Sequence, residues 1–296
     1  MEFCVFGAGS LGSLVGGLLA REHDVTLVGR RPHVTAVQQN GLRLTGEYDC
    51  TVTPEAGTEL PAETDVAIVT VKSFDTADAA RALSGCTLTG VLSLQNGMGN
   101  EETLASRLAC PVLAGTCTYG ARLVEPGVVE CTGLGEIALG PHDGGSALGE
   151  CVGEAFLTAG LDATVATDMP RRLWEKLAIN AGINATTALA RVPNGALVDG
   201  PARDVARAAA RETAHVAREN GVALDPETTV ESTVSVAEAT APNTSSMQQD
   251  VRAGKRTEVD AINGFVLDHA EIPVPVNETL TQLVRAWERE QDLRTT

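Results

Sequence analysis

The sequence predicts an α/β amino-terminal half followed by an all-helical carboxy-terminal half. Three observations carry this. An apolar strand, Glu2–Phe6, runs straight into a glycine-rich turn and a helix. Strand-like and helix-like segments alternate from there to Thr167, the pattern of a parallel sheet with crossover helices. Beyond Thr167 strand signals nearly vanish and alanine-rich amphipathic patterns take over. The boundary falls near Thr167–Pro170, giving domains 1–167 and 168–296.

The first element fixes the class of ligand. Gly7-Ala8-Gly9-Ser10-Leu11-Gly12 lies between the strand and a helix over Leu11–Arg21, and a second strand follows at Asp24–Val28. A G-x-G-x-x-G stretch in that strand–turn–helix context is the fingerprint of a Rossmann-type dinucleotide-binding fold. Gly7 permits the tight turn, Gly9 lets the backbone approach a pyrophosphate, and Gly12 permits close helix–strand packing. The helix N-terminus offers N–H donors and a positive dipole end. The whole stretch, Ala8, Ser10 and Leu11 included, is the expected phosphate cradle.

The end of the second strand bears on the choice of nucleotide. NAD-selective folds usually place an acid there for the ribose 2′-hydroxyl. Here the chain reads Gly29-Arg30-Arg31, and a guanidinium suits a 2′-phosphate, so NADP(H) is expected over NAD(H). Stacking of Arg30 on the adenine is the alternative, compatible with either. Further strands are read at Asp65–Val71, Gly90–Leu94 and Pro111–Thr116, with a helix opening at Asp75-Thr76. Lys72 and Asn96 follow two of these strands, and ligands of doubly wound sheets sit beyond the strands' carboxyl ends. Gly127–Thr132 and Glu136–Leu139 read as a hairpin-like pair, followed by a helix over about 146–159 and a short strand at Ala163–Ala166.

Helices are expected at 171–190, 201–220, 226–240, 245–253, 257–271 and 276–291. The first places Lys176, Asn180 and Asn184 at i, i+4 and i+8, so successive side chains lie about 40° apart and form one polar stripe. Its other faces carry Leu173, Trp174, Leu177, Ile179 and Ile183. Buried polar groups left unpaired cost roughly 1–3 kcal/mol each, so the stripe needs partners. Taken alone, it favours a local carboxylate for Lys176 and neighbouring loops for the asparagines; a bound polar ligand is the alternative. Asn243-Thr244-Ser245-Ser246 precedes a helix, where a serine suits an N-cap. Glu258 sits in an acidic stretch after Thr257 and, alone, reads as a surface carboxylate.

Composition narrows the partners. Twenty-two Lys and Arg against 39 Asp and Glu give a net charge of −17, which argues against nucleic acid and anionic membranes. Only Lys72, Lys176 and Lys255 are lysines, so this acid-rich, lysine-poor chain has the composition of a protein adapted to high salt. The seven cysteines are scattered without C-x-x-C and the five histidines are dispersed. No metal site is expected, and a reducing, cytoplasmic setting is. No signal peptide is evident, and the apolar run Leu11–Ala20 is too short and glycine-broken to span a bilayer. Nothing suggests a hydrolase.

Several stretches together resemble the ketopantoate reductase (2-dehydropantoate 2-reductase) family. They are GAGSLG, HVTAVQQNGLRL at 33–44, VTVKSFDT at 69–76, LQNGMGNEE at 94–102, WEKLAINAGIN at 174–184 and NTSSMQQDVRAGKRTEVDAINGF at 243–265. They cover nearly the whole chain in order, and the last two are far more specific than the glycine loop. The resemblance implies an NADPH-dependent 2-keto acid reductase with its active site in a cleft between the domains and Lys176 as general acid. It implies that Asn96, Asn180 and Asn184 line the substrate site, that Ser246 helps bind substrate and that Glu258 positions substrate and lysine. Arg30 and Lys72 match positions implied in NADP binding, and Asn243 is a weaker candidate for the substrate pocket. A lysine in water stays protonated at working pH, and an ammonium aimed at the ketone oxygen both stabilises developing charge and donates the proton. A relative reducing another 2-keto acid and a non-catalytic nucleotide sensor are the competing readings. A homodimer is allowed but not required.

Overall fold

The computed structural model describes residues 1–142 and 146–294, Ser146 by its backbone alone. The chain forms two compact units. One comprises Met1–Gln95 and Asn100–Met169; the other comprises Pro170–Thr296 together with Asn96–Gly99.

The first unit is built on an eight-stranded sheet. Its strands are β1 (Glu2–Phe6), β2 (Asp24–Val28), β5 (Glu55–Gly57), β6 (Glu63–Val69), β7 (Thr87–Ser93), β8 (Val112–Cys117), β11 (Ile137–Pro141) and β12 (Ala163–Val165). They lie in the order β12-β11-β8-β7-β6-β1-β2-β5. Every neighbouring pair is parallel except β11 with β8. The chain winds one way from β1 to β2 and the other way from β6 to β7. The direction of winding therefore reverses between β1 and β6, the place where doubly wound sheets bind ligands.

Helix α1 (Ser10–Leu19) is buried on every side from Gly12 to Leu19, which is why that stretch is apolar all round except for Ser13. One face lies on β1 and β2, where a Cβ on Gly16 would meet Leu27 Cδ2 at 2.5 Å. The other lies on a second sheet of β3 (Leu42–Gly46), β4 (Cys50–Val52), β9 (Gly120–Glu125) and β10 (Val128–Gly133), ordered β4-β3-β10-β9. There a Cβ on Gly17 would meet Leu42 and Leu44 at 2.9 Å. The two adjacent glycines let one helix sit between two sheets. Helix α2 (His33–Asn40) is fastened to α1 through His33, 2.9 Å from Ser13 Oγ. The opposite face of the large sheet carries α3 (Thr76–Leu83) and α4 (Asn100–Ala105), whose Ala79, Ala80, Leu83 and Leu104 pack on Ala67, Val69 and Val91. Helix α5 (Ser146–Thr158) places Val152 and Phe156 in the same core as Ile137 and Leu139.

The second sheet corrects one expectation. Gly127–Thr132 and Glu136–Leu139 do not pair as a hairpin. The first contributes β10, which pairs antiparallel with β9 and parallel with β3; the second contributes β11 of the large sheet. Alternating apolar residues fit any partner, and here the partners lie elsewhere in the chain.

The second unit is helical: α6 (Met169–Ala190), α7 (Pro201–Glu219), α8 (Pro226–Ala239), α9 (Ser246–Arg252), α10 (Asn263–Asp268) and α11 (Pro275–Glu290). Its alanines allow close approach, and a Cβ on Gly182 of α6 would lie 2.8 Å from Ala206 O of α7. The expected helix over 257–271 is broken. A 3-10 turn covers Val259–Ala261, Ile262 leaves the helical region at φ −109° and ψ −96°, and α10 begins at Asn263. The break turns Asn263 inward, where its Nδ2 donates to Ala181 O of α6 at 3.0 Å and to Asn277 Oδ1 of α11 at 2.9 Å. Asn277 in turn donates to Ala209 O of α7 at 3.0 Å. These buried amides lock four helices in one register, at a depth where unmade bonds would be costly.

Candidate active site

In the first unit the candidate residues surround the end of β1. Gly7 has φ +116°, and a Cβ there would lie 2.7 Å from Val71 N, so only glycine suits this turn. Gly7 and Ala8 both donate to Val28 O at 2.9 Å, which ties the loop to β2. A Cβ on Gly12 would meet Gly7 O at 2.3 Å and Thr70 Oγ1 at 2.4 Å, while Thr70 Oγ1 itself donates to Gly7 O at 2.8 Å. Helix α1 therefore starts in contact with the loop and with the chain just beyond β6. Gly9 differs. It is exposed, its backbone is extended, and a Cβ there would find only Gly7 O, 3.9 Å away.

Among the described residues no side chain caps α1, and no acid stands in its first turn. The leading N–H groups and the dipole end thus meet an open approach over Gly9, which suits a pyrophosphate. Leu11 is partly buried against the core, and Ser10 Oγ accepts from Leu123 N of β9 at 3.0 Å, so their side chains hold the helix while their backbone faces the loop. Arg30 is exposed just after β2, and no carboxylate among the described residues forms an ion pair with it. Lys72 is half-buried beyond β6, where its carbonyl accepts from Asp75 N at 2.8 Å.

Asn96 follows β7 but belongs with the helical unit. Gln95, still in the first unit, is anchored by donating to Val71 O at 3.1 Å and to Thr76 Oγ1 at 2.7 Å. The chain then turns through Gly97 (φ +83°) and Gly99 (φ +86°). Met98 N donates to Ala261 O at 3.0 Å, and a Cβ on Gly97 would strike Ala261 at 2.6 Å. Sequence order alone does not assign this loop to the helical unit. Just after it, Glu101 of α4 is buried, and burial pushes its carboxyl up from the usual range. Nothing in the sequence pattern singled it out.

Lys176, Asn180 and Asn184 lie on the unbroken α6, with burial deepening along the stripe. Lys176 and Asn180 are half-buried and Asn184 is buried. Trp174, on the same helix, packs edge-on against Phe265 with ring centroids 5.7 Å apart. Thr187 Oγ1, one turn beyond Asn184, lies 2.7 Å from Ser245 Oγ and joins α6 to the 243–246 segment. Ser245 is the N-cap of α9, accepting from Gln248 N. Ser246 is then the first helical residue and is exposed, as is Asn243, whose carbonyl accepts from Asn194 N at 3.0 Å.

Glu258 is buried, contrary to its reading in isolation as a surface carboxylate. Its segment is anchored on both sides. Thr257 N and Oγ1 each donate to Glu288 Oε1 at 2.7 Å. Asp260 accepts from Arg285 Nε at 2.9 Å and from Arg294. Burial pushes the Asp260 carboxyl up, but its bonds to Arg294 and Arg285 outweigh that and hold it below the ordinary carboxylate value. The helical unit therefore carries Asn96, Lys176, Asn180, Asn184, Asn243, Ser246 and Glu258, and the α/β unit carries Gly7–Gly12, Arg30 and Lys72.

A sequence model described as ketopantoate reductase PanE/ApbA matches residues 3–144, and its C-terminal counterpart matches residues 168–288. The chain belongs to the ketopantoate reductase family. Members of the ketopantoate reductase family among its relatives include the 2-dehydropantoate 2-reductase of Halobacterium salinarum. That protein is 45% identical over 303 residues, covering 98% of this chain and 100% of its own. A crystal structure of a PanE/ApbA family ketopantoate reductase from Ralstonia eutropha JMP134 superposes with a TM-score of 0.90 at 34% identity, covering 99% of this chain and 100% of that one. D-mandelate dehydrogenase with NADH and anilino(oxo)acetate shares the fold, with a TM-score of 0.92 at 23% identity over 99% of this chain and 100% of its own. Ketopantoate reductase family membership makes this chain a dinucleotide-binding oxidoreductase acting on a small molecule. Among the described residues no helix is long and apolar enough to cross a membrane.

Proposed function

We propose that this protein reduces 2-dehydropantoate (ketopantoate) to (R)-pantoate with NADPH, a step toward pantothenate and coenzyme A, with Lys176 as the general acid. The observation that carries the reading is the polar stripe Lys176–Asn180–Asn184 on α6, a mostly apolar helix. Full-length likeness to relatives named 2-dehydropantoate 2-reductase supports the substrate. The α/β unit is the nucleotide carrier and the helical unit the substrate carrier. Among the described residues no disulfide joins the seven cysteines, as suits a reducing cytoplasm.

The α/β residues fit a dinucleotide, because the uncapped α1 and the open approach over Gly9 answer to a pyrophosphate. Arg30 supplies the cation for a 2′-phosphate, and Lys72 supplies a second positive group beyond the neighbouring strand. A reduced nicotinamide, when bound, supplies the hydride. Lys176 holds its proton toward the ketone oxygen, neutralises the charge that builds there and delivers the proton. Asn180, Asn184, Asn96 and Ser246 offer amide and hydroxyl groups to the substrate's carboxylate and hydroxyl, with Asn243 at the margin. Glu258 keeps the ammonium charged and oriented. In a chain of net charge −17, this cluster gives an anionic 2-keto acid a positive place to dock.

Lys176→Ala tests the reading. Its kcat on ketopantoate should fall by at least about two orders of magnitude, as for a positioned proton donor, while NADPH still binds. Near-normal turnover removes Lys176 from the chemistry. Assays of ketopantoate beside other branched 2-keto acids, each with NADPH and NADH, fix the substrate and the nucleotide; a better rate on another 2-keto acid replaces ketopantoate in the proposal.

A further inference from the structure

Glu288 is a carboxylate with no exposed surface, near the end of a helix whose neighbouring positions Arg289 and Glu290 face solvent. Its partners account for its burial. Oε1 takes both the backbone N–H and the hydroxyl of Thr257, and Oε2 takes Arg294 Nε at 2.9 Å. A buried carboxylate is tolerated where a cation and directed donors surround it. Thr257 is itself buried, and the residue joined to it is Glu258. On the far side Asp260 is gripped by Arg285 and Arg294, with Arg256 at 3.5 Å. Arg294 bonds both carboxylates, so Glu288 and Asp260 form one network spanning the ends of a four-residue stretch with Glu258 inside it.

We propose that Glu288 is a positioning residue for ketone reduction: by fixing the Arg256–Thr257 peptide and the Thr257 side chain it anchors the residue to which Glu258 is joined and so sets where the Glu258 carboxylate points, and Arg294 completes the clamp. The inference rests on the assignment of Glu258 to the reaction. Thr257 gives its backbone N–H and its hydroxyl proton to one oxygen of Glu288, so neither the Arg256–Thr257 peptide nor the Thr257 side chain can turn without breaking a bond. Loss of the clamp leaves the Glu258 side chain in place chemically but loosens its aim. Small misplacements of reacting groups are costly in rate.

The test is a double-mutant cycle between Glu288→Ala and Glu258→Ala, read as kcat, KM for ketopantoate, Kd for NADPH and melting temperature. Glu288→Ala alone should lower kcat by about 10- to 100-fold, with Kd for NADPH unchanged. In the Glu258→Ala background the same change should lower kcat no further. Glu288→Gln keeps an oxygen for Thr257 and should recover most of the rate. Should Glu288→Ala fail to fold, Thr257→Val, which keeps the backbone bond to Glu288 but loses the hydroxyl's bond to it and the longer one from Val259 N, carries the same cycle with smaller expected losses. Equal losses in both backgrounds, or a folded Glu288→Ala enzyme with unchanged kcat, overturn the clamp alone. Unchanged kcat in Glu258→Ala overturns the part given to Glu258 and this inference with it.

Discussion

His33 shows how a single side chain makes a testable demand on pH. Gly127 N donates to its Nδ1 at 3.0 Å, so the ring proton sits on Nε2 and is donated to Ser13 Oγ at 2.9 Å. The imidazole is therefore neutral, unable to act as a base toward Ser13, and burial lowers its pKa below the usual 6.5. The unfolded chain takes up a proton near pH 6.5 that the folded chain refuses. Stability is thus intact above that pH and is lost as pH falls below it. His33→Asn keeps an acceptor and does not titrate, so the melting temperature of the native protein should fall more between pH 7.5 and pH 5 than that of the variant. Parallel curves would show that His33 contributes nothing to acid sensitivity. Arg30 makes a different demand. If it binds the 2′-phosphate, Arg30→Ala should weaken NADPH by roughly 1.5–3 kcal/mol, the range for a hydrogen bond to a charged group, and NADH much less. Equal losses in titrations of the two nucleotides would return Arg30 to the adenine-stacking alternative.

At the level of the element, the two inner glycines of the first loop separate folding from binding. A methyl on Gly12 would collide with Gly7 O and Thr70 Oγ1, both held by the sheet. Gly12→Ala should cost about 1–3 kcal/mol of stability, seen as a lower melting temperature without ligand. Beyond its chain neighbours, a methyl on Gly9 meets no atom of the described residues closer than 3.9 Å, and its φ of −89° is ordinary for alanine. Gly9→Ala should therefore melt like the native protein yet lose the upward shift in melting temperature that NADPH produces. A retained shift would mean that the dinucleotide does not pass over Gly9. This loop was legible from sequence because its roles are local, each set by residues a few positions apart. The stripe on α6 was legible for the same reason, since helical spacing alone aligns Lys176, Asn180 and Asn184. The second sheet was not. Strand β3 pairs with β10 more than eighty residues later, matching Leu44 with Val129, and no local pattern encodes that choice. The break at Ile262 was hidden too, because its cause is the reach of Asn263 to Ala181 on another helix. Glu258 looked like a surface acid because the group that buries its segment, Glu288, is thirty residues away.

Over the whole molecule, the net charge of −17 works against compaction through self-repulsion. Many carboxylates are exposed, and several pairs that partner them, such as Arg211 with Glu227 and Arg81 with Asp78, lie at the surface, where ion pairs contribute little. Salt shortens the Debye length from about 10 Å at 0.1 M to about 3 Å at 1 M and should relieve the repulsion. The melting temperature is expected to rise between 0.1 M and 2 M KCl; indifference to ionic strength would show that the acidity has no bearing on stability. The same screening should ease the approach of an anionic substrate, so KM for ketopantoate should not worsen as salt is added.

Residues 96–99 are covalently enclosed by the α/β half yet folded into the helical one, so the backbone changes allegiance three times, at 95/96, 99/100 and 169/170. A gene divided at the last of these junctions would send four residues off with the wrong fragment. Secreted or co-expressed alone, the 170–296 piece would lack the amide of Met98 that Ala261 accepts. Reassembly of the enzyme from its severed halves would therefore require one fragment to thread a missing loop back into the other.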